Sequence, residues 1–303
     1  MTLGGIEAGG TKFVCLLATE AGDVIEETRF PTTTPYQAIP RAIAFFARFI
    51  ASGGTLDAIG IASFGPIELR ATDPQYGFIV STPKAGWSYT DLVGPVHAAF
   101  DVPIGFDTDV NGAAVAEGRW GAARGLDDFV YITVGTGIGG GAVCAGRPVH
   151  GLVHPEMGHL AIPRDPDDDF AGVCPFHGDC FEGMASGSAM AARWGQGAET
   201  MSGARLERAV SLEATYLAAG LRNIVYTLAP QRIIIGGGVA NVPGLFPELR
   251  DRLAATLGSY PGLSEHEADD FVVPPGLGAM AGPLGAVALA ELALRRISLP
   301  GTW

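Results

Sequence analysis

Gly5–Lys12 reads GIEAGGTK and Ile132–Gly141 reads ITVGTGIGGG, two versions of one local plan in which a Gly-Thr turn separates apolar runs. Gly9-Gly10 divides the strand-like runs Leu3–Glu7 and Phe13–Ala18, and Gly135-Thr136-Gly137 joins Asp128–Val134 to Ile138–Cys144. The repetition predicts an α/β chain of two duplicated domains facing each other across a cleft. Lys12 leads into a strand, so the turn is not a P-loop, whose lysine opens a helix. A GGTK turn is commonly a plain hairpin. It also has the chemistry of a phosphate site: the glycines let backbone N–H groups approach phosphoryl oxygens, Thr11 adds a hydroxyl and Lys12 a positive charge. The second turn favours that use. A third cluster, Gly236-Gly237-Gly238, follows the apolar strand Arg232–Ile235, where bare backbone could take a base and ribose.

Working outward, Val24–Phe30 completes an antiparallel meander with the first two runs. Ile39, Ile43, Phe46, Ala47 and Ile50 recur at three and four, which predicts a helix over 36–50 with these residues on its buried face. Leu56–Ser63 reads as a strand, the Gly/Pro-rich stretch 63–87 as a ligand-lining excursion, Val102–Phe106 as a strand and Val110–Gly118 as a short helix. A second domain begins near Arg119. Its long amphipathic helix runs from Leu206 to Leu228 and is ended by Pro230. The last helix, from Pro283 to Arg296, has proline in its first turn and returns to the first domain. The expected division is therefore 1–118 completed by 283–303, and 119–282 with a metal-binding loop at 154–182.

Bulk composition agrees with two cores, since 303 residues exceed what one usually supports. Nineteen basic against thirty-two acidic side chains give a formal charge of −13, which repels nucleic acid and anionic membranes alike. The 48% apolar fraction contains no uninterrupted apolar run of membrane-spanning length. With no leader-like segment before Leu3, a cytoplasmic location is expected.

Between Glu156 and Glu182 the chain reads EMGHLAIPRDPDDDFAGVCPFHGDCFE. His159, Cys174, His177 and Cys180 have the spacing of a tetrahedral zinc site. A Cys174–Cys180 disulfide competes, but disulfides are uncommon in a reducing compartment. His154 and Asp179 also lie within reach, so the ligand set stays open at this point. Cys15 and Cys144 lie in apolar runs and are expected to be buried packing residues. In Phe106-Asp107-Thr108-Asp109-Val110-Asn111 a strand enters a helix, and any of Asp107, Thr108 and Asp109 could cap it. Two acids are not both needed for capping, which leaves one as a candidate base.

Together, GIEAGGTK, ITVGTGIGGG, IIIGGGVA and EMGH with its downstream Cys/His cluster resemble the ROK sugar kinases of the sugar kinase, Hsp70 and actin superfamily, and among them the bacterial fructokinases. The resemblance covers almost the whole chain. It implies two ribonuclease H-like domains flanking a cleft, the actin/hexokinase-type ATPase fold. It further implies ATP and Mg²⁺, a structural Zn²⁺ on His159, Cys174, His177 and Cys180, and ATP contacts from Gly9, Gly10, Thr11, Lys12, Gly135, Thr136, Gly137, Gly236, Gly237 and Gly238. Asp109 corresponds to the catalytic base, and Thr108, Asp109, Glu156, His159 and Glu182 to sugar contacts. A homodimer, a small-molecule sugar and no nucleic-acid or membrane partner follow in the same way. The implied reaction is phosphorylation of D-fructose to fructose 6-phosphate; another hexose such as mannose, glucose or an amino sugar is the near alternative. Part of the family regulates transcription, but that role needs a DNA-binding module, and here the first strand begins at Leu3. Three positions depart from the family pattern. Glu7 stands where an Asp is usual, Thr108 where an Asn is expected, and CPFHGDC exchanges a thiolate for His177. The last two fit the fructokinase subset.

Overall fold

The computed structural model describes residues 1–298; the end of the expected C-terminal helix, 299–303, lies outside them. The chain divides into two compact units. The first takes Met1–Arg124, returns for Arg147–His154, and is completed by the chain from Gly276 onward. The second takes Gly125–Gly146 and Pro155–Pro275.

In the first unit β1 (Thr2–Ala8), β2 (Lys12–Thr19) and β3 (Val24–Pro31) form the antiparallel meander, with Glu7 opposite Val14. Helix α1 (Pro35–Ala51) follows. It buries Ala38, Ile39, Ala42, Phe45 and Phe46, whereas Ala47 and Ile50 are exposed. The buried stripe is thus rotated from the expected one, because adjacent Phe45 and Phe46 both turn inward on the core, their rings packing edge to face at 5.1 Å. Next come β4 (Ala58–Ser63), the two-residue pair β5 (Phe78–Ile79) and β6 (Thr90–Asp91), α2 (Val93–Ala99), β7 (Ile104–Thr108) and α3 (Asp109–Trp120). The sheet order is β3-β2-β1-β4-β7, with β1, β4 and β7 parallel.

The second unit repeats the plan. Strands β8 (Phe129–Val134) and β9 (Ile138–Cys144) are antiparallel and joined by the glycine turn. The chain passes through β10 (Arg147–Pro148) and re-enters this unit for α4 (Phe181–Ala185), α5 (Gly187–Trp194) and the 26-residue α6 (Gly203–Leu228). It continues with β11 (Arg232–Gly236), α7 (Leu245–Leu257) and β12 (Val272–Val273). Strands β9, β8, β11 and β12 lie side by side in that order, the last three parallel. Cys15 is fully buried, but Cys144, at the end of β9, is only partly so.

The closing helix α8 (Ala281–Ser298) explains several glycines of the first unit. Gly5, Gly60 and Gly105 are register partners across β1, β4 and β7, a bare row through the sheet. A Cβ at Gly60 would run into the Ala286 carbonyl oxygen, and one at Gly105 into that of Leu289. The helix backbone therefore rests on the sheet itself, and Glu117 secures the approach: its buried carboxylate accepts from the amides of Ala122, Gly276 and Leu277. Gly60→Ala is expected to lower stability by roughly 3 kcal/mol, the upper range for overpacking, because backbone rather than a pliable side chain must yield. Urea unfolding monitored by circular dichroism reads this, and an unchanged midpoint would show that α8 does not dock this closely. No helix among the described residues is long and apolar enough to cross a membrane.

Candidate functional site

The Cys/His cluster belongs to the second unit. Cys174 and Gly178 exchange backbone hydrogen bonds of 3.2 and 3.0 Å, closing CPFHG into a knuckle in which Gly178 takes φ +66°. Cys180 precedes α4, and His159 ends the one-turn helix Met157–His159. The donor atoms of His159, Cys174, His177 and Cys180 all lie within 4.8 Å of one another. His159 Nδ1 is 3.7 Å from Cys174 Sγ and 3.6 Å from Cys180 Sγ, and His177 Nδ1 is 3.8 Å from Cys174 Sγ. Tetrahedral geometry with Zn–S near 2.3 Å and Zn–N near 2.05 Å requires an S···N separation of about 3.6 Å. The cage thus matches a tetrahedral cation in size and donor type. Both cysteines are free thiols, and burial pushes that of Cys180 up to about 11, so a bound cation must displace a proton. The two other candidate ligands are engaged elsewhere. His154 lies in the first unit, where its Nε2 accepts from the Ile67 amide at 3.2 Å, and Asp179 pairs with Arg164 at 3.5 Å.

The loop before the knuckle is anchored separately. Asp168 accepts from the Tyr216 hydroxyl at 2.6 Å and pairs with Arg193 at 3.3 Å, and the Arg193 guanidinium lies 4.4 Å from the Phe170 ring centre. Beyond the knuckle, Phe181 packs onto Gly220 of α6, where a side chain would meet its ring. Glu182 Oε2 accepts from the Ile138 amide at 2.9 Å, the first residue after the glycine turn. Gly158 abuts the Ile138 carbonyl, and Met157 abuts Gly140. The metal loop and the second glycine turn therefore form one packed body, a coupling between distant segments that spacing alone does not reveal. Glu156 is exposed and His159 half-buried.

Within the turns the glycines fall into two kinds. Gly10, Gly135 and Gly238 face open space, whereas Gly137 is pressed by Glu182, Gly236 by the Tyr131 hydroxyl and Gly237 by the Val134 backbone. Gly237 also has φ +90°, which only glycine adopts readily. Thr11, Lys12 and Thr136 are exposed at the turn tips, and the first turn is closed by Gly9 N–H donating to the Lys12 carbonyl at 3.0 Å. Near that turn, Glu7 Oε2 is buried without a hydrogen-bond partner. Burial raises the Glu7 pKa while Lys12 and Arg29 pull it down. An orphaned carboxylate oxygen of this kind fits a divalent cation or its water shell.

At the entrance to α3, capping falls to Thr108, whose hydroxyl accepts from the Asn111 amide at 3.1 Å. Asp107 Oδ1 accepts from Thr108 N–H and Asn111 Nδ2, both at 2.8 Å. Asp109 occupies the first helical position, half-buried, with Oδ1 accepting from the Val110 amide at 2.9 Å. A carboxylate in the first turn also has the favourable end of the helix dipole.

Comparison with known proteins gives the class. The ROK family model matches residues 3–293, and the chain belongs to the ROK family. It is 45% identical over 292 residues to a fructokinase of Zymomonas mobilis, covering 95% of each chain. It is 39% identical over 296 residues to a fructokinase of Pediococcus pentosaceus, covering 97% of this chain and 99% of that one. Among solved structures, a ROK family glucokinase from Streptomyces griseus in complex with glucose and AMPPNP superposes with TM-score 0.74 at 25% identity, covering 96% of this chain and 100% of that one. The two mixed sheets are thus those of the actin/hexokinase-type fold.

Proposed function

We propose that this chain is an ATP-dependent fructokinase that converts D-fructose to fructose 6-phosphate, with Asp109 as general base. The observation that carries the base assignment is the division of labour before α3: Thr108 caps the helix and Asp107 is held by its neighbours, so Asp109 is not required for either task. The relatives named fructokinases supply the substrate class, and the glucokinase bound to AMPPNP supports a nucleoside triphosphate as donor.

The Asp109 carboxylate takes the proton of the C6 hydroxyl as its oxygen attacks the γ-phosphorus; the new O–P bond forms while the bond to the β-phosphate bridging oxygen breaks and ADP leaves. Amides at Gly10 and Gly135, with the Thr11 and Thr136 hydroxyls and the Lys12 ammonium, hold phosphoryl oxygens; Gly238 leaves space for the nucleoside. Glu7, whose buried Oε2 lacks a hydrogen-bond partner, is the residue that would hold Mg²⁺ or its water shell, and the cation would supply neutralisation of triphosphate charge. On the sugar, Glu156 and Glu182 accept from hydroxyls and His159, whose Nδ1 faces the cage, donates from Nε2, with Thr108 as a further contact and Glu182 also retaining its hold on Ile138.

Zinc is the cation that suits the N₂S₂ cage. His159, Cys174, His177 and Cys180 would hold it with four protein donors, and its contribution would be to shape the loop that carries Glu156 and Glu182. Chelation is expected to raise the fructose KM first, with the ATP KM following as Ile138 loses its Glu182 partner. Metal analysis of the purified protein and kinetics before and after dialysis against chelator check this. Full activity of the Cys174→Ser, Cys180→Ser double variant without bound zinc would contradict it. The reaction itself is tested by ³¹P NMR of the product, which separates fructose 6-phosphate from the 1-phosphate; a 1-phosphate product or none would overturn the reading. A homodimer and a cytoplasmic location accord with the family likeness and complete the proposal.

A further inference from the structure

We propose that His150 is a positioning residue for phosphoryl transfer, holding the turn that presents Asp109 by clamping Asp107; this rests on Asp109 being the base. His150 belongs to the short segment Arg147–His154 by which the chain revisits the first unit. Two histidines pin that segment there. His154 Nε2 takes the Ile67 amide at 3.2 Å, and His150 Nε2 lies 2.9 Å from Asp107 Oδ2. Asp107, Thr108 and Asn111 are 4%, 4% and 1% exposed, so the clamp acts on a dry turn.

The donors and acceptors fix the proton arrangement. Asp107 Oδ1 already accepts from Thr108 N–H and from Asn111 Nδ2. Asn111 Nδ2 also stands 3.3 Å from His150 Nε2. An ionised Asp107 needs a donor at Oδ2, so Nε2 carries a hydrogen and gives it to the carboxylate, while the Asn111 amide points its N–H at Oδ1. Asp107 thereby receives three donors from three places: its own following peptide, the first turn of α3, and the returning segment. Two of these three hydrogen bonds run to residues that bracket Asp109, Thr108 immediately before it by its peptide and Asn111 two residues after it by its side chain. Removing His150 leaves a buried carboxylate oxygen without its donor, and Asp107 is then free to rotate. That rotation loosens the Thr108–Asp109 peptide. Misplacement of a catalytic group by about 1 Å can cost on the order of 10²-fold, and a partial loosening should cost less.

The Gly9–Lys12 turn is closed by its own hydrogen bond, Gly9 N–H to the Lys12 carbonyl at 3.0 Å, which sets the expected kinetic pattern. The turn that holds phosphate should not notice the loss of His150.

Steady-state kinetics with fructose and ATP, together with thermal unfolding, test the clamp in His150→Ala, His150→Gln and Asp109→Asn. His150→Ala is expected to lower kcat roughly 10- to 30-fold with the ATP KM unchanged within about twofold. His150→Gln places an amide N–H where Nε2–H was and is expected to recover most of kcat. Rescue by an amide, with the ATP KM flat, separates positioning from a general loss of fold. If His150→Ala does not fold, His150→Asn takes its place, since its shorter amide falls short of Asp107 and should show the same loss. A folded variant lacking the clamp with kcat within twofold of the parent would overturn the inference, as would a loss that His150→Gln does not restore. Asp109→Asn separates the two claims: if it is inactive while His150→Ala is normal, only the clamp fails, and if it turns over normally, the base assignment fails.

Discussion

Asp109→Asn is expected to lower kcat with fructose by roughly 10²- to 10⁴-fold, the range for loss of a general base, while leaving ATP affinity little changed. The asparagine preserves size and still offers an oxygen to the Val110 amide that Asp109 Oδ1 contacts at 2.9 Å. The cap is untouched, because Thr108 supplies it. What is lost is the ability to take a proton, so the change should fall on kcat and on kcat/KM alike. Thermal stability should move little. If turnover stays near normal, the base lies elsewhere, and Asp107 would be the next residue to test; its burial and its three donors make it a poor alternative.

Fructose should be preferred to glucose by a large factor in kcat/KM, with mannose between them. The proposed sugar contacts are Glu156, His159 and Glu182; His159 sits in the Cys/His cage and Glu182 is held by the Ile138 amide. A site built to pair with hydroxyls in given positions leaves polar groups unpaired when those positions change, and such mismatches can reach on the order of 10⁴-fold. The relatives point the same way: fructokinases of Zymomonas mobilis and Pediococcus pentosaceus share 45% and 39% of their residues with this chain, and the Streptomyces griseus glucokinase 25%. Comparable kcat/KM for glucose and fructose would remove the fructose assignment and leave a broader hexose kinase.

Features carried by local pattern were legible in the sequence. The meander, the glycine turns and the amphipathic α6 each announce themselves within a few residues, and the strand expected at Val102–Phe106 is found two residues along, at Ile104–Thr108. The Cys/His spacing is equally local, and its four donors converge. What could not be read depends on contacts between distant segments. The row Gly5, Gly60 and Gly105 becomes a docking surface only once three strands are in register beneath α8. Glu182 reaches Ile138 across 44 positions, and His150 reaches Asp107 across 43. Which of Asp107, Thr108 and Asp109 caps α3 was open because all three residue types suit the task, and only the hydroxyl's direction decides it. In α1 the period of the apolar residues was correct, but Phe45 and Phe46 drew the buried face round toward the core.

The central claim, transfer of a phosphoryl group from ATP to fructose, is tested most directly by ADP release measured across a panel of hexoses with Mg²⁺ present. Rapid release that depends on fructose is expected, with much lower kcat/KM for glucose and loss of the signal in Asp109→Asn. No hexose-dependent release of ADP by folded, zinc-loaded protein would contradict it.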